Sequence, residues 1–178
     1  MPGTARPVRI VGDPALSTPT RKVTEFDDEL AQLIDDMFET NRIASGAGLA
    51  APQIGDDRAV FVYDCRDDNG VRHTGYVVNP EVVVADGQLD AGEEGCLSVP
   101  GPFHELARPT HVVVRGVDKH NKPVEVTGTG FFARCLLHET DHLRGILFID
   151  HLPRNRRRRL LRDMTPFDWN APMPTGAM

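Results

Sequence analysis

The apolar positions near the start of the chain recur at intervals of three and four residues. They are Phe26, Leu30, Leu33, Ile34, Met37 and Phe38. This period predicts an amphipathic α-helix from about Glu25 to Ile43, with Thr24 as its N-cap. The opposite face is acidic and shows no chemical pattern, so we expect a scaffold helix with one solvated side.

The middle of the chain has short apolar runs typical of β-strands. These runs are residues 59–63, 76–84, 111–117 and 123–127. Residues 118–122 are predicted to form a hairpin turn, and Asn79-Pro80 predicts either an edge position or a bend for the second strand. The polar segment 66–74 predicts an exposed, mobile loop, and the glycine-rich segment 45–55 a loop or irregular edge strand. Strands flanked by helices predict an α+β domain with a mostly antiparallel sheet.

A second helix is predicted from about residue 130 to Gly145, because glycine is a suitable C-terminal cap. Phe131, Cys135, His138 and His142 fall on one stripe of this helix. A stripe that begins with apolar residues and ends with two histidines places polar groups in a buried environment. Buried polar groups need a partner such as a metal ion.

The end of this stripe has the sequence H-E-T-D-H at residues 138–142. Residues four apart on a helix lie above one another, so His138 and His142 can bind one divalent metal while Glu139 stands beside it. Neutral imidazoles suit such a cation, and a nearby carboxylate can take a proton from water. The motif therefore predicts a metal-dependent hydrolase.

Two imidazoles leave the third ligand undetermined. Gly145 is in register with the extended zinc-protease pattern, but Phe148 stands where the third histidine would be, and no Glu follows Glu139. A metal-dependent peptidase therefore lacks its ligand. The remaining downstream donors are Asp150, His151, Asp163 and Asp168.

An upstream donor is available in the segment E-G-C-L-S-V-P-G at residues 94–101. Its Cys96 is predicted to lie on a loop or at a strand end, and thiolate is a strong ligand for Zn or Fe. From its position alone, Cys96 is equally compatible with a small buried hydrophobe.

A third stretch, residues 46–55, has the sequence G-A-G-L-A-A-P-Q-I-G. Taken in chain order, G-x-G-L-A-A-x-Q, E-G-C-L-S and H-E-x-D-H resemble the three signature motifs of the peptide deformylases. The resemblance extends from about Val8 to Leu152, and three ordered motifs are far more specific than any one of them.

The resemblance implies an enzyme that removes the formyl group from N-formylmethionine at the start of newly made polypeptides and releases formate. Cys96, His138 and His142 would hold one divalent metal. Glu139 would take a proton from water and then protonate the departing amine. The side-chain amide of Gln53 and the backbone N–H of Leu97 would bind the oxyanion.

The resemblance also implies where the peptide binds. Gly46, Ala47 and Gly48 would pair with its backbone as in strand addition, and Gly95 would contact it as well. The methionine side chain would enter an apolar pocket near Cys135 and His138.

Fe(II) is the metal expected from the resemblance, with Zn, Ni or Co able to occupy the same ligands. The implied fold has the H-E-x-x-H helix at its centre and small antiparallel sheets packed around it. The chain departs from the commonest family pattern at Leu137, Thr140 and Phe103, which concern the pocket rather than the ligands. A catalytically idle, ribosome-associated protein is the alternative from another class. Such a protein would lack a metal ligand or the base, whereas this chain has all of Cys96, His138, Glu139 and His142.

Length and composition are those of an ordinary soluble domain. The chain has 178 residues, of which 40% are apolar and 26% charged. We expect a single catalytic domain over residues 1–152, followed by a basic C-terminal helix and tail over residues 153–178. With no apolar leader, no membrane-length run and three cysteines, the sequence predicts a cytoplasmic protein without a membrane partner.

The charge is segregated along the chain. Residues 151–178 hold six Arg and two Asp, a net charge of +4, while the rest of the chain carries −10. The arginine block from Arg154 to Arg162 suggests a docking surface for RNA, and a solvated surface helix is the alternative. The resemblance to the peptide deformylases implies that the RNA partner is the ribosome. DNA is not expected as a partner.

Overall fold

The computed structural model describes residues 2–165 of the chain. In this range the helices and strands are α1 (Asp28–Ile43), β1 (Gly48–Ala50), β2 (Val60–Arg66), β3 (Arg72–Cys96), β4 (Val99–Val117), β5 (Pro123–Thr129), α2 (Gly130–Leu143) and α3 (Arg154–Arg162). Short 3-10 helices cover Pro14–Ser17, Ala51–Ile54 and Phe148–His151. The part of the predicted tail that follows Thr165 lies outside the described residues.

The strands form one antiparallel sheet in the order β1-β2-β3-β4-β5. This confirms the antiparallel α+β class, although several small sheets were expected. The difference arises because β3 and β4 are long and their pairing shifts register at four places, which bends the ladder without breaking it. Beyond the bend, residues 89–96 and 99–109 form a two-stranded arm, and Cys96 lies at its end.

Both faces of β2 are buried, which explains why its sequence is an almost continuous apolar run. Val60 and Val62 pack with the apolar face of α1. Phe61 and Tyr63 point to the opposite face and pack with α2. Each fully buried large apolar side chain contributes roughly 1.5–3 kcal/mol to the free energy of folding. The sheet is thus held between the scaffold helix and the helix that carries the H-E-x-x-H motif.

The start of α1 differs from the prediction. The helix begins at Asp28 rather than Glu25, because Asp27, and not Thr24, is its N-cap. The Asp27 carboxylate accepts a hydrogen bond from the Leu30 backbone N–H at 3.0 Å. An ionised cap also interacts favourably with the positive end of the helix dipole, which favours this start.

Several predicted boundaries agree with the structure. Residues 118–122 connect β4 to β5 as a turn. Asn79 has a φ of 51°, and the register of β3 shifts between Val78 and Glu81, so the predicted bend is present. At the end of α2, Gly145 has a φ of 73° and donates its N–H to the carbonyl of His142 at 3.1 Å.

The arm of β3 and β4 was not predicted. Its sequence is rich in Gly and charged residues, which have low intrinsic strand preference. Cross-strand hydrogen bonds stabilise it instead, and these depend on pairing between distant residues. The predicted polar loop is also shorter than expected, because β3 already begins at Arg72.

The basic helix α3 packs on the rest of the described chain through two apolar residues, Leu160 and the partly buried Leu161. Leu160 is 7% exposed and belongs to a cluster with Val99, Phe148 and Ile149. All six arginines of α3 are exposed. In the described residues, no helix combines the length and apolar character needed to cross a membrane.

Candidate active site

Three potential metal ligands meet where the arm of β3 and β4 contacts α2. His142 Nε2 lies 3.3 Å from Cys96 Sγ and 3.1 Å from His138 Nε2. The donor atoms of all three residues lie within 4.8 Å of one another. Around a tetrahedral ion, ligand bonds of ordinary length place neighbouring donors about 3.3–3.7 Å apart. The three side chains therefore fit one divalent cation, with little adjustment.

The downstream alternatives for the third ligand lie elsewhere. Phe148 is buried, and its ring stacks near His138 at a centroid distance of 6.2 Å. Asp150 accepts the Leu147 N–H at 2.9 Å within its 3-10 helix, and His151 contacts Asp141 at 2.7 Å. Asp163 follows α3, and Asp168 lies outside the described residues.

Sequence analysis missed the carboxylate that supports His138. Glu94 Oε1 lies 2.7 Å from His138 Nδ1, and Arg108 donates to both oxygens of Glu94 at 2.7 and 3.1 Å. Arg134 adds a further contact at 3.2 Å. Burial opposes ionisation of Glu94, but the hydrogen bonds and charges of His138 and Arg108 outweigh it and lower its pKa to about 2. Glu94 is therefore a buried anion behind the imidazole.

The chain of contacts behind His138 continues from Arg108 toward the protein surface. Arg108 also donates to Asp141 Oδ2 at 2.8 Å, and Asp141 in turn contacts His151 at 2.7 Å. A sequence signal existed for Glu94, since it opens the E-G-C-L-S motif beside a candidate ligand. Arg108 and Arg134 gave no such signal, because their role depends on contacts between distant parts of the chain.

The charges around His138 favour a cation at this position. Burial opposes protonation of His138, but the Cys96 and Glu94 side chains raise its pKa well above the ordinary value. Burial and the neighbouring His138 lower the pKa of His142 well below its ordinary value. A divalent cation would supply the positive charge in place of the proton on His138, and it would meet a neutral imidazole at His142.

Glu139 lies beside the ligands and is almost completely buried, with 3% exposure. Burial raises the pKa of its carboxyl group to about 7. Its Oε2 atom has no hydrogen-bond partner within the part of the chain that the structure describes. An unpartnered carboxylate oxygen at a cavity wall is suited to accept a proton from water.

The side chain of Gln53 is fixed by hydrogen bonds at both ends. Its Oε1 accepts the Ala50 N–H at 2.9 Å, and its Nε2 donates to Ser98 Oγ at 3.1 Å and to Cys96 Sγ at 3.6 Å. The amide N–H groups therefore face the ligand cluster. Leu97 lies in the tight turn between Cys96 and Val99 that closes the arm.

A cavity of about 400 Å³ opens in front of these groups. The residues proposed from sequence that line it are Gly46, Ala47, Gly48, Gln53, Gly95, Cys96, Leu97, Cys135, His138 and Glu139. His142 is not part of the wall and is 1% exposed. The structure thus brings all the sequence-predicted site residues to one place.

The floor of the cavity is apolar near Cys135. Cys135 Sγ donates to the Ala47 carbonyl at 3.5 Å. The adjacent Cys65 thiol and burial raise the pKa of Cys135 well above its ordinary value. Cys135 is therefore a neutral, polarisable wall that suits a thioether or alkyl side chain.

Comparison with known proteins gives consistent matches over most of the chain. A family model for polypeptide deformylase matches residues 5–158. Peptide deformylase 1 of Streptomyces avermitilis is 53% identical over 165 residues, which cover 91% of this chain and 76% of that protein. A crystal structure of a peptide deformylase from Legionella pneumophila has a TM-score of 0.82 at 41% identity, with coverage of 89% of this chain and 92% of that one.

A second similar solved structure contains a bound ligand. The peptide deformylase from Ehrlichia chaffeensis in complex with actinonin has a TM-score of 0.83 at 32% identity, and the match covers 89% of this chain and 95% of that one. Sequence motifs, fold and ligand geometry therefore agree with these matches. The chain belongs to the polypeptide deformylase family.

Proposed function

We propose that this protein hydrolyses the N-terminal formyl group of N-formylmethionyl peptides and releases formate. The observation that carries the proposal is the joint placement of three ligands and one unpartnered carboxylate, Glu139, at the wall of a cavity. Membership of the deformylase family supports the same reaction.

Cys96, His138 and His142 would hold the metal ion. When bound, the ion would polarise the formyl carbonyl and make water a stronger nucleophile near neutral pH. Fe(II) is the proposed native metal. Zn, Ni and Co are alternatives, because one thiolate and two imidazoles suit all four metals. In this proposal α2 is the central element of the fold, since its contacts include all five strands.

Glu139 acts as general base and then as general acid. It takes a proton from the attacking water, whose oxygen forms a bond to the formyl carbon. The C–N bond then breaks, and Glu139 returns the proton to the departing amine. The products are formate and a peptide with a free N-terminus.

Gln53 and Leu97 are the proposed oxyanion donors. The Gln53 amide faces the ligands because Ala50 and Ser98 fix its orientation. Leu97 lies one residue from Cys96, so its backbone N–H belongs to the same turn as the ligand. Removal of one such donor typically lowers the rate by about a hundredfold or more.

The peptide would enter along the edge of the sheet. β1 is an edge strand, and Gly46, Ala47 and Gly48 lie at its start, where an extended peptide can add as a further strand. Gly95 also lines the cavity, and the methionine side chain would lie against Cys135.

The test measures formate release from formyl-Met-Ala-Ser by anaerobically purified protein with its metal content determined. We expect turnover in the parent protein and its loss in Glu139→Ala that still holds metal. A fully metallated parent that releases no formate would exclude the enzymatic function. Native iron content, compared with protein loaded with Zn, Ni or Co, tests the identity of the metal.

We also propose that the arginine block from Arg154 to Arg162 contributes to ribosome association. Its support is the exposure of all six of these arginines on a helix fixed by Leu160. Co-sedimentation with ribosomes should weaken in Arg154→Glu/Arg158→Glu and after deletion of residues 154–178. Unchanged co-sedimentation in both would contradict the proposal. The cytoplasmic location and the absence of a DNA partner stay predictions from the sequence.

A further inference from the structure

The active-site cavity borders a second depression in the protein surface. Three consecutive residues, Gly101, Pro102 and Phe103, line both of them. Phe103 is 66% exposed, so it forms a ridge of apolar surface between the two. A peptide that leaves the cavity over this ridge therefore enters the second depression.

The far wall of the second depression is formed by α3. Arg156, Arg159, Leu160 and Asp163 line it. Leu160 is buried in the apolar cluster beneath, which fixes this face of the helix. On the near side, Thr165 donates its N–H to the carbonyl of Pro100 at 3.0 Å. These two attachments hold the arginine pair at a defined position beside the ridge.

Five of the six arginines of α3 divide between two faces of the helix. Arg156 and Arg159 are three residues apart and face the depression. Arg154, Arg158 and Arg162 recur every fourth residue on a different face, and none of them lines the depression. This separation provides a matched control for the role of charge.

The cavity and the depression differ in the sign of their charge. The cavity wall includes three acidic residues, Glu93, Glu94 and Glu139, against one arginine, Arg134. The depression holds two arginines against one acidic residue, Asp163, whose carboxylate is 3.8 Å from Arg159 Nε. An acidic side chain is therefore disfavoured close to the formyl end of a peptide and favoured farther along it.

We propose that the depression binds acidic side chains of the substrate peptide downstream of the residues held in the cavity. The proposal rests on the proposed deformylase function and adds a substrate preference to it. The whole protein carries a formal charge of −6, so acidic peptides are otherwise repelled. Arg156 and Arg159 convert this repulsion into a preference that depends on position.

The experiment uses eight-residue peptides that begin with formyl-Met, are otherwise neutral, and carry a single Asp at each position from the second to the eighth. The matching Asn peptides are the reference. Exposed ion pairs contribute little, so kcat/KM should rise about two- to fivefold for Asp at the outer positions. It should not rise for Asp at the second position. The preference should disappear at about 0.5 M salt, where exposed charges are screened.

Variants of α3 locate the effect. Arg156→Gln/Arg159→Gln should abolish the difference between Asp and Asn peptides, whereas Arg154→Gln/Arg158→Gln should retain it. Equal kcat/KM for Asp and Asn peptides at every position in the parent protein would overturn the proposal. A preference that persists in Arg156→Gln/Arg159→Gln would also overturn it.

A binding measurement separates this proposal from the proposed function. Formate release from a neutral peptide tests deformylation alone. Fluorescence anisotropy with labelled Asp and Asn peptides and metal-loaded Glu139→Ala tests the depression without turnover. Tighter binding of the outer-Asp peptide supports the proposal, and equal binding contradicts it even if the protein proves active.

Discussion

Glu94 Oε1 lies 2.7 Å from His138 Nδ1, and this contact determines which nitrogen of the imidazole faces the other ligands. Because Nδ1 is engaged by the carboxylate, Nε2 is directed at His142 Nε2, 3.1 Å away. A carboxylate behind a ligating histidine also increases the basicity of the ring. Glu94 is therefore a residue that positions the metal site from outside it.

Glu94→Gln should weaken metal binding by about 10- to 100-fold, as is typical when the support behind a histidine ligand is lost. It also replaces one of the two carboxylate partners of the buried Arg108 with a neutral amide, so the unfolding midpoint should fall. Competition with a chelator gives the metal affinity, and thermal unfolding gives the stability. Glu105→Gln, an equivalent change at an exposed position of β4, is the control and should alter neither.

If Glu94→Gln bound the metal as tightly as the parent protein, the proposed support of His138 would be contradicted. A variant that lost stability but not affinity would show that Glu94 acts in folding alone. The two measurements therefore distinguish the two roles of this carboxylate.

The contrast between Glu139 and Arg108 shows what the sequence reveals about this site. His138, Glu139 and His142 come from one helical turn, so their proximity follows from local geometry. Glu94 and Arg108 are 14 residues apart, and Glu94 and His138 are 44 residues apart, so their contacts depend on how the arm folds onto α2. The order of the motifs suggested Cys96 as a ligand. No local feature of the sequence identified Arg108 as the partner of Glu94.

The fold shows the same division. The period of α1 and the apolar runs of β2 and β5 are local signals, and those elements were predicted. The arm of β3 and β4 was not predicted, because it is held by cross-strand pairing of residues with weak strand preference. The predicted start of α1 was also wrong, because Thr24 and Asp27 are both good caps and the structure uses the ionised Asp27, whose side chain accepts the Leu30 N–H.

The pH dependence of stability should depend on Asp36. Burial opposes its ionisation, but hydrogen bonds from Thr4 N at 2.8 Å, Gln32 at 2.8 Å and Arg6 at 2.6 Å outweigh this and lower its pKa. A lowered pKa in the folded state stabilises the protein above the unfolded-state value of 3.8, and the stabilisation is lost as the pH falls below it.

Asp36→Asn should therefore reduce the free energy of unfolding at pH 7 by about 1–3 kcal/mol. The difference from the parent protein should shrink as the pH falls below 4, because the parent carboxylate then becomes protonated. Urea unfolding between pH 3 and pH 7 measures this difference. Asp35→Asn on the same helix is the control, and a pH-independent loss in Asp36→Asn would contradict the prediction.

Gly48 leaves the space that Glu139 occupies. A Cβ atom at residue 48 would lie 2.6 Å from Glu139 Oε1, so the carboxylate would have to move. Because displacement of a catalytic group by about 1 Å can cost a hundredfold in rate, Gly48→Ala should lower kcat by about that factor. Formate release measures kcat, and metal analysis should show full occupancy, since the three atoms nearest to the added Cβ all belong to Glu139 and not to a metal ligand. An unchanged kcat would mean that Glu139 tolerates a shifted position.

Gln53 and Ser98 allow the oxyanion contribution to be separated from the orientation of the amide. Gln53→Leu removes the N–H donor and should lower kcat by about a hundredfold. Ser98→Ala removes only the hydroxyl that accepts from Gln53 Nε2 at 3.1 Å, while Ala50 still holds the amide oxygen. It should therefore cost less than about tenfold, since the donor remains. Steady-state kinetics with formyl-Met-Ala-Ser and metal analysis of both variants make the comparison. Equal losses would indicate that Gln53 serves to order the turn at Cys96 rather than to bind the oxyanion.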